Sequence, residues 1–238
     1  MKQRLSFKEY EKKIDAQGLV WEKKQKPQKA LEAYDLLMRE METTHPKTQQ
    51  ETREKDAIIS YLMLRKAGIL LETGKVEDAE ASMQGSVEFA ERSGNTTAIG
   101  RAKLGLGIYY GSSSRFEEAE KLLAEALETF SRKDDYDDKQ GTAWCLLNLG
   151  GLQLKKSNLK EAEERLTKAI ELLKKIKNWA GVGTAYEMMA KASKAKNDRT
   201  SAKENLLKAI TFFEKEGMSE KADLLRNELK ALDAAPDL

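Results

Sequence analysis

Apolar residues along this chain recur at helical spacing behind a repeated turn. Four copies of the turn each lead into an alanine, and these alanines lie 40, 43 and 40 residues apart: Ala79, Ala119, Ala162 and Ala202. The copies occupy residues 74–79, 114–119, 157–162 and 197–202, and a weaker fifth copy leads into Ala30. A fixed period of this length is the sequence signature of a helical solenoid.

Each anchoring alanine opens an apolar stripe with the spacing of one helix face. In the third repeat the stripe consists of Ala119, Leu122, Leu123, Ala126, Leu127 and Phe130. Upstream of each anchor the pattern predicts a partner helix that carries a small residue at a matched position, at Ala67, Gly107, Gly150 and Ala190. Because glycine costs about 1 kcal/mol of helix propensity relative to alanine, its recurrence there indicates close helix packing.

The pattern therefore predicts an all-α solenoid of five helix pairs. The pairs are expected near residues 4–24 and 27–43, 47–73 and 76–93, 96–112 and 115–132, 138–156 and 159–177, and 179–196 and 199–216. A capping helix is expected at 219–232, and the whole chain, 1–238, is predicted to be one solenoid domain. The longer spacing from Ala30 to Ala79 predicts either a long first helix in the second pair or a projecting loop at 43–50.

Composition and charge narrow the class of protein. Charged residues make up 34% and apolar residues 40% of the chain, with only three prolines, which is typical of a mostly helical protein. The 42 basic and 40 acidic residues nearly cancel, so no nucleic-acid or membrane partner is expected. With no long apolar run and the single cysteine Cys145, we expect a cytoplasmic protein without a disulfide.

No arrangement of residues in the sequence indicates catalysis. His45 is the only histidine, and Cys145 lies in an apolar helical segment, so neither a nucleophile with its base nor a zinc ligand set is available. The Gly105 and Gly107 pair follows no strand, and the acidic run 134–138 lacks the glycine and closing glutamate of a calcium loop. We expect a non-enzymatic protein with no cofactor and no metal.

These repeats resemble the tetratricopeptide repeat family over roughly residues 10–216. The resemblance rests on Leu106, Gly107, Tyr110, Ala119, Leu123 and Ala126, on Leu149, Gly150, Ala162, Leu166 and Ala169, and on Gly18, Trp21, Ala30, Tyr34 and Leu37. The period of 40–43 exceeds the usual 34, and the proline that often closes a repeat is missing. Longer periods are similar to those of kinesin light chains and bacterial peptide-sensing regulators.

The resemblance implies a right-handed superhelix whose first helices line a concave peptide-binding groove. By matched positions, the groove residues would be Tyr61, Leu64, Gly68, Leu71, Arg101, Leu104, Ile108, Trp144, Leu147 and Leu154. Leu64, Leu104 and Leu147 would form a continuous apolar floor. Alternatively, the same residues pack against a neighbouring helix pair or against a homodimer partner, since a one-residue error in register rotates each assignment by about 100°.

The expected function is therefore a protein-protein interaction scaffold whose groove binds an apolar or amphipathic peptide or helix. Two alternatives keep the fold: a regulatory sensor of a short signalling peptide, and a homo-oligomeric assembly module. The sequence itself does not separate them.

Overall fold

A computed structural model describes residues 6–131 and 136–234, and over these residues every regular element is helical. The helices are α1 (Phe7–Ile14), α2 (Val20–Lys23), α3 (Pro27–Thr43), α4 (Gln49–Glu72), α5 (Val76–Ser93), α6 (Thr96–Ser112), α7 (Phe116–Phe130), α8 (Tyr136–Lys155), α9 (Leu159–Lys175), α10 (Trp179–Ala195), α11 (Arg199–Lys215) and α12 (Ser219–Ala234). The predicted all-α class and its succession of helix pairs are confirmed. Of the predicted bounds, residues 4, 5 and 132 lie outside the described residues.

Two details refine the predicted elements. A π-helical segment, Asp15–Leu19, joins α1 to α2, where the sequence predicts an uninterrupted helix. Within it Gly18 presses on the ring of Tyr34, where an added Cβ would lie 2.1 Å from ring atoms. The long spacing before Ala79 is taken up by α4, which is 24 residues long.

The repeated turns share one backbone conformation. The residue five positions before each anchoring alanine has a left-handed φ in every repeat, at Gln25, Gly74, Ser114, Ser157 and Asn197. A single left-handed residue ends one helix and turns the chain into the next. Only one of the five is glycine, so the other repeats adopt this conformation at some cost in backbone strain.

Small residues at matched positions allow the paired helices to approach closely. A Cβ added at Gly107 would lie 2.9 Å from Leu123 and 3.4 Å from the carbonyl oxygen of Ala119. Gly150 is in the same environment, 2.9 Å from Leu166 and 3.4 Å from the Ala162 oxygen. The packing reason predicted for these glycines is confirmed, and the helix pairs cross where two small residues meet.

The chain clusters into two compact units, residues 1–129 and 130–238. In unit 1 the core gathers side chains of α1, α3, α4 and the start of α6 around Tyr34, Leu37 and Ile58. Among the described residues of unit 2, one cluster contains Leu166 and Val182, and another joins α10 and α11 to α12. The single solenoid domain stays a prediction.

The last helix closes unit 2 as a cap. Ala222 and Leu225 of α12 are buried against Ile210 and Phe213 of α11. Lys194 of α10 pairs with Glu228, and Lys203 Nζ lies 2.5 Å from Asp233 Oδ1, so the polar edges of α12 are also tied down. Across the residues described, no helix is long and apolar enough to cross a membrane.

Candidate protein-interaction surface

Helices α4 and α6 lie side by side with matched register in unit 1. The Arg101 guanidinium lies 5.6 Å from the centre of the Tyr61 ring, and the Leu64 Cδ1 atom lies 2.4 Å from where a Cβ at Gly105 would stand. The step from Tyr61 to Leu64 along α4 corresponds to the step from Arg101 to Gly105 along α6, so the two helices run parallel. If this register continues for one more turn, Gly68 of α4 corresponds to Ile108 of α6.

The first helical segment of the chain supplies carboxylates to one end of this face. Glu11 pairs with Arg101, and the Tyr61 hydroxyl donates a 2.8 Å hydrogen bond to Asp15 in the π-helical segment. The Phe7 ring packs edge-on against Tyr61 with 6.4 Å between centroids. Burial, together with the bond to Asp15, raises the pKa of Tyr61, so its hydroxyl remains a donor. Tyr61 and Arg101 are thus held in an intramolecular network.

A second polar network fixes α2 against α3 and α4. Arg65 Nη2 lies 2.5 Å from a Glu22 carboxylate oxygen, and Glu22 also accepts a hydrogen bond from the Tyr34 hydroxyl. Burial and then this bond raise the pKa of Tyr34 to about 12. Arg65 and Glu11 were missed as surface residues by the sequence prediction, because their partners lie 43 and 90 residues away and leave no local pattern.

The remainder of the α4 and α6 face is apolar and partly open. Ile108 is 41% exposed, Gly68 is exposed with no atom of the described residues within 4 Å of an added Cβ, and Leu71 and Leu104 are half-buried. Leu64 is also half-buried, because it packs over Gly105. We call Gly68, Leu71, Leu104 and Ile108 the α4–α6 patch. A helical glycine with open space above it leaves room for a side chain from another molecule.

In unit 2 the predicted floor residue Leu147 belongs to the core, which is a correction. It is 1% exposed, because Val182 and Ala185 of α10 and Leu166 of α9 enclose it. Trp144 and Leu154 are half-buried against the same cluster. The predicted apolar row therefore does not extend through Leu147, although that residue matches Leu104 in repeat position.

The histidine and the cysteine that were considered for catalysis and metal binding lie in different environments. His45 is exposed in the segment before α4, and the Cys145 thiol is fully buried, which raises its pKa to about 12. Among the described residues, no three histidine, cysteine or carboxylate side chains are grouped so that they could hold a metal ion. Of the acidic run considered for calcium, Asp134 and Asp135 lie outside the described residues.

Residues 58–132 match the tetratricopeptide repeat family, and no curated protein matches the sequence. BtubC from P. vanneervenii is 17% identical, with a TM-score of 0.61 over 95% of this chain and 82% of that one. Nearly identical TPR-like repeats of kinesin light chain type from Podosopora anserina are 14% identical, with a TM-score of 0.59 over 91% and 99%. A Rap protein in complex with competence and sporulation factor is 12% identical, with a TM-score of 0.59 over 96% and 75%. At these identities the likeness shows a shared helical-repeat fold.

Proposed function

We propose that this chain, whose residues 58–132 match the tetratricopeptide repeat family, is a non-enzymatic scaffold that binds an amphipathic peptide or helix on the α4–α6 patch. The observation that carries the proposal is the open space above Gly68, together with the exposed side chain of Ile108 on the neighbouring helix α6. A side chain of a partner fits there and buries apolar surface, which is favourable by about 25 cal/mol per Å².

The chemistry around the patch supports an amphipathic partner. The apolar surface of the α4–α6 patch is short. One end of the patch is bounded by Arg101, Glu11 and Asp15, whose charges are already paired or hydrogen-bonded within the chain. An apolar centre beside a polar border is the usual anatomy of a protein interface. A helix with apolar residues at i, i+3 and i+4 matches the spacing of Gly68 and Leu71 on α4 and of Leu104 and Ile108 on α6.

The test is Ile108→Glu, compared with Leu36→Glu on α3. Both side chains are exposed, at 41% and 64%, so either carboxylate remains hydrated in the free protein and the melting temperature should change little. Proteins that the wild type captures from a lysate of the source should be retained by Leu36→Glu and lost by Ile108→Glu, because a desolvated carboxylate costs several kcal/mol in an interface.

Two results would count against this function. If Ile108→Glu keeps every partner at wild-type affinity, the patch is not the recognition surface. If light scattering shows that the wild type is a dimer which Ile108→Glu converts to a monomer, the patch joins two copies of this chain instead.

A further inference from the structure

Unit 2 carries a stack of three aromatic rings that the α4–α6 patch does not involve. Phe212 of α11 lies between Trp179 and Tyr186 of α10, with centroid separations of 5.7 and 5.8 Å and interplanar angles of 16° and 8°. All three rings are half-buried, so one part of the stack faces solvent. We call these rings and the lysines beside them the aromatic notch.

Three exposed lysines from α9 and α11 stand over the rings. Lys174 Nζ donates a 3.1 Å hydrogen bond to the Tyr186 hydroxyl and lies 5.4 Å from the centre of that ring. Lys208 Nζ lies 5.6 Å from the same ring, and Lys215 Nζ lies 3.5 Å from the centre of the Trp179 ring. Cation–π contacts at exposed sites contribute only about 0.5–1 kcal/mol each, so the charges remain available to a partner.

The positions in unit 1 that are equivalent to Lys174 and Lys208 carry the opposite charge. Counted from the anchoring alanines, Lys174 matches Glu91, Tyr186 matches Lys103, and Lys208 matches Glu125. In unit 1 the central Lys103 bridges the flanking carboxylates, at 3.0 Å from Glu91 and 2.7 Å from Glu125. Burial opposes its charge, but the two hydrogen-bonded carboxylates outweigh burial and raise the pKa of Lys103. This place in the repeat can therefore hold a bridged trio of charges.

In the aromatic notch the two flanking charges have no such bridge. The central residue is the neutral Tyr186, and within the described part of the chain neither Lys174 nor Lys215 forms an ion pair. Lys208 forms an ion pair with Glu204, one turn away on its own helix, at 3.9 Å, and such exposed ion pairs contribute little to stability. A carboxylate between Lys174 and Lys208 would reproduce the charge trio of unit 1 with the sign of every charge reversed.

We propose that the aromatic notch binds an acidic segment of a partner protein. One partner carboxylate lies between Lys174 and Lys208 above the Tyr186 hydroxyl, a neighbouring apolar side chain packs on Phe212, and Lys215 meets a second carboxylate at the Trp179 end. Charge complementarity selects the carboxylates. The rings favour a protein segment over a bare polyanion, because they offer apolar surface beside the charges. The near-zero net charge of the chain, +2, gives no general attraction to polyanions.

The probe is a fluorescein-labelled peptide of alternating glutamate and phenylalanine, followed by fluorescence anisotropy with the full chain at low ionic strength. The variant is Lys174→Glu/Lys208→Glu. We expect the wild type to bind the probe and the variant to bind it at least about tenfold more weakly, since two charge-assisted contacts become repulsive. The variant should instead bind the matching peptide of lysine and phenylalanine.

The matched control is Lys160→Glu/Lys230→Glu, which makes the same change in net charge at two exposed lysines of unit 2. It should keep the affinity of the wild type within about twofold, and so should Ile108→Glu, which separates this site from the α4–α6 patch. Equal loss in both double variants would overturn the proposal. Binding of phosphatidylserine vesicles, but not of the peptide, through Lys174 and Lys208 would also overturn it.

Discussion

At the scale of single residues, two glycines near the end of α4 show that the same substitution can act in opposite directions. Gly68 is helical and Gly74 has a φ of +77°, and at either site an added Cβ would have no atom of the described part of the chain within 4 Å. Packing therefore cannot decide the outcome, and backbone conformation alone does. Gly68→Ala should stabilise the protein by about 0.5–1 kcal/mol, because alanine restricts the unfolded chain and favours helix.

Gly74→Ala should destabilise the protein by about 1 kcal/mol, because the left-handed backbone conformation is sterically unfavourable for alanine. Each change corresponds to a shift in melting temperature of about 2–4 °C per kcal/mol for a chain of this size. Thermal unfolding followed by circular dichroism measures both, and shifts of the same sign would contradict the assigned conformations. Gly68→Ala should also weaken partner binding, since its methyl group enters the α4–α6 patch.

At the scale of elements, α12 offers adjacent leucines in opposite environments. Leu225 is 6% exposed and packs with Phe213 and Ile210, whereas Leu224 is 68% exposed. Leu225→Asp should destabilise unit 2 by about 3–5 kcal/mol and promote aggregation, because a buried carboxylate has no partner and the cap detaches.

Leu224→Asp is the control and should change stability by no more than about 0.5 kcal/mol. Urea denaturation compares the two variants, and static light scattering detects aggregation. A stable, monomeric Leu225→Asp protein would mean that α12 does not close the end of the repeats.

At the scale of the whole molecule, the repeat period continues across the boundary between the two compact units. The anchors Ala119 and Ala162 lie on either side of it, 43 residues apart, and both are fully buried at their helix crossings. Ala119→Leu and Ala162→Leu should each destabilise the protein by about 1–3 kcal/mol through overpacking. If the chain is one solenoid domain, both should lower a single cooperative transition, because stacked repeats unfold together with their neighbours.

Differential scanning calorimetry measures this, with Lys121→Leu as the control at an exposed position of α7. Two transitions, each moved by only one of the two alanine variants, would show two independent domains. Unchanged melting for Ala119→Leu would instead contradict the assigned helix crossing.

The candidate site was less predictable from the sequence than the fold. Matched repeat positions selected Gly68 and Ile108, which are exposed, but the same rule selected Leu147, which is core. Leu104 and Leu147 occupy one position in the repeat, but Leu147 is buried in a cluster with side chains of α10, whereas Leu104 is half-buried. Repeat position predicts which face of a helix a residue occupies, but its exposure depends on what the next helices place over that face.

The amino-acid sequence by itself determined the helices, their turns and their crossings. These depend on local properties: the 3.6-residue period of the apolar stripe, the repeated turn before each anchoring alanine, and small residues such as Gly107 and Gly150. Only the tertiary structure decided the contacts between distant residues. Glu11 pairs with Arg101, which is 90 residues away in the sequence. Lys103 joins Glu91 to Glu125 in unit 1, whereas at the equivalent position of unit 2 Tyr186 contacts Lys174 and Lys208. Such pairs carry no local periodicity, because their energy arises only when folding brings separate helices together.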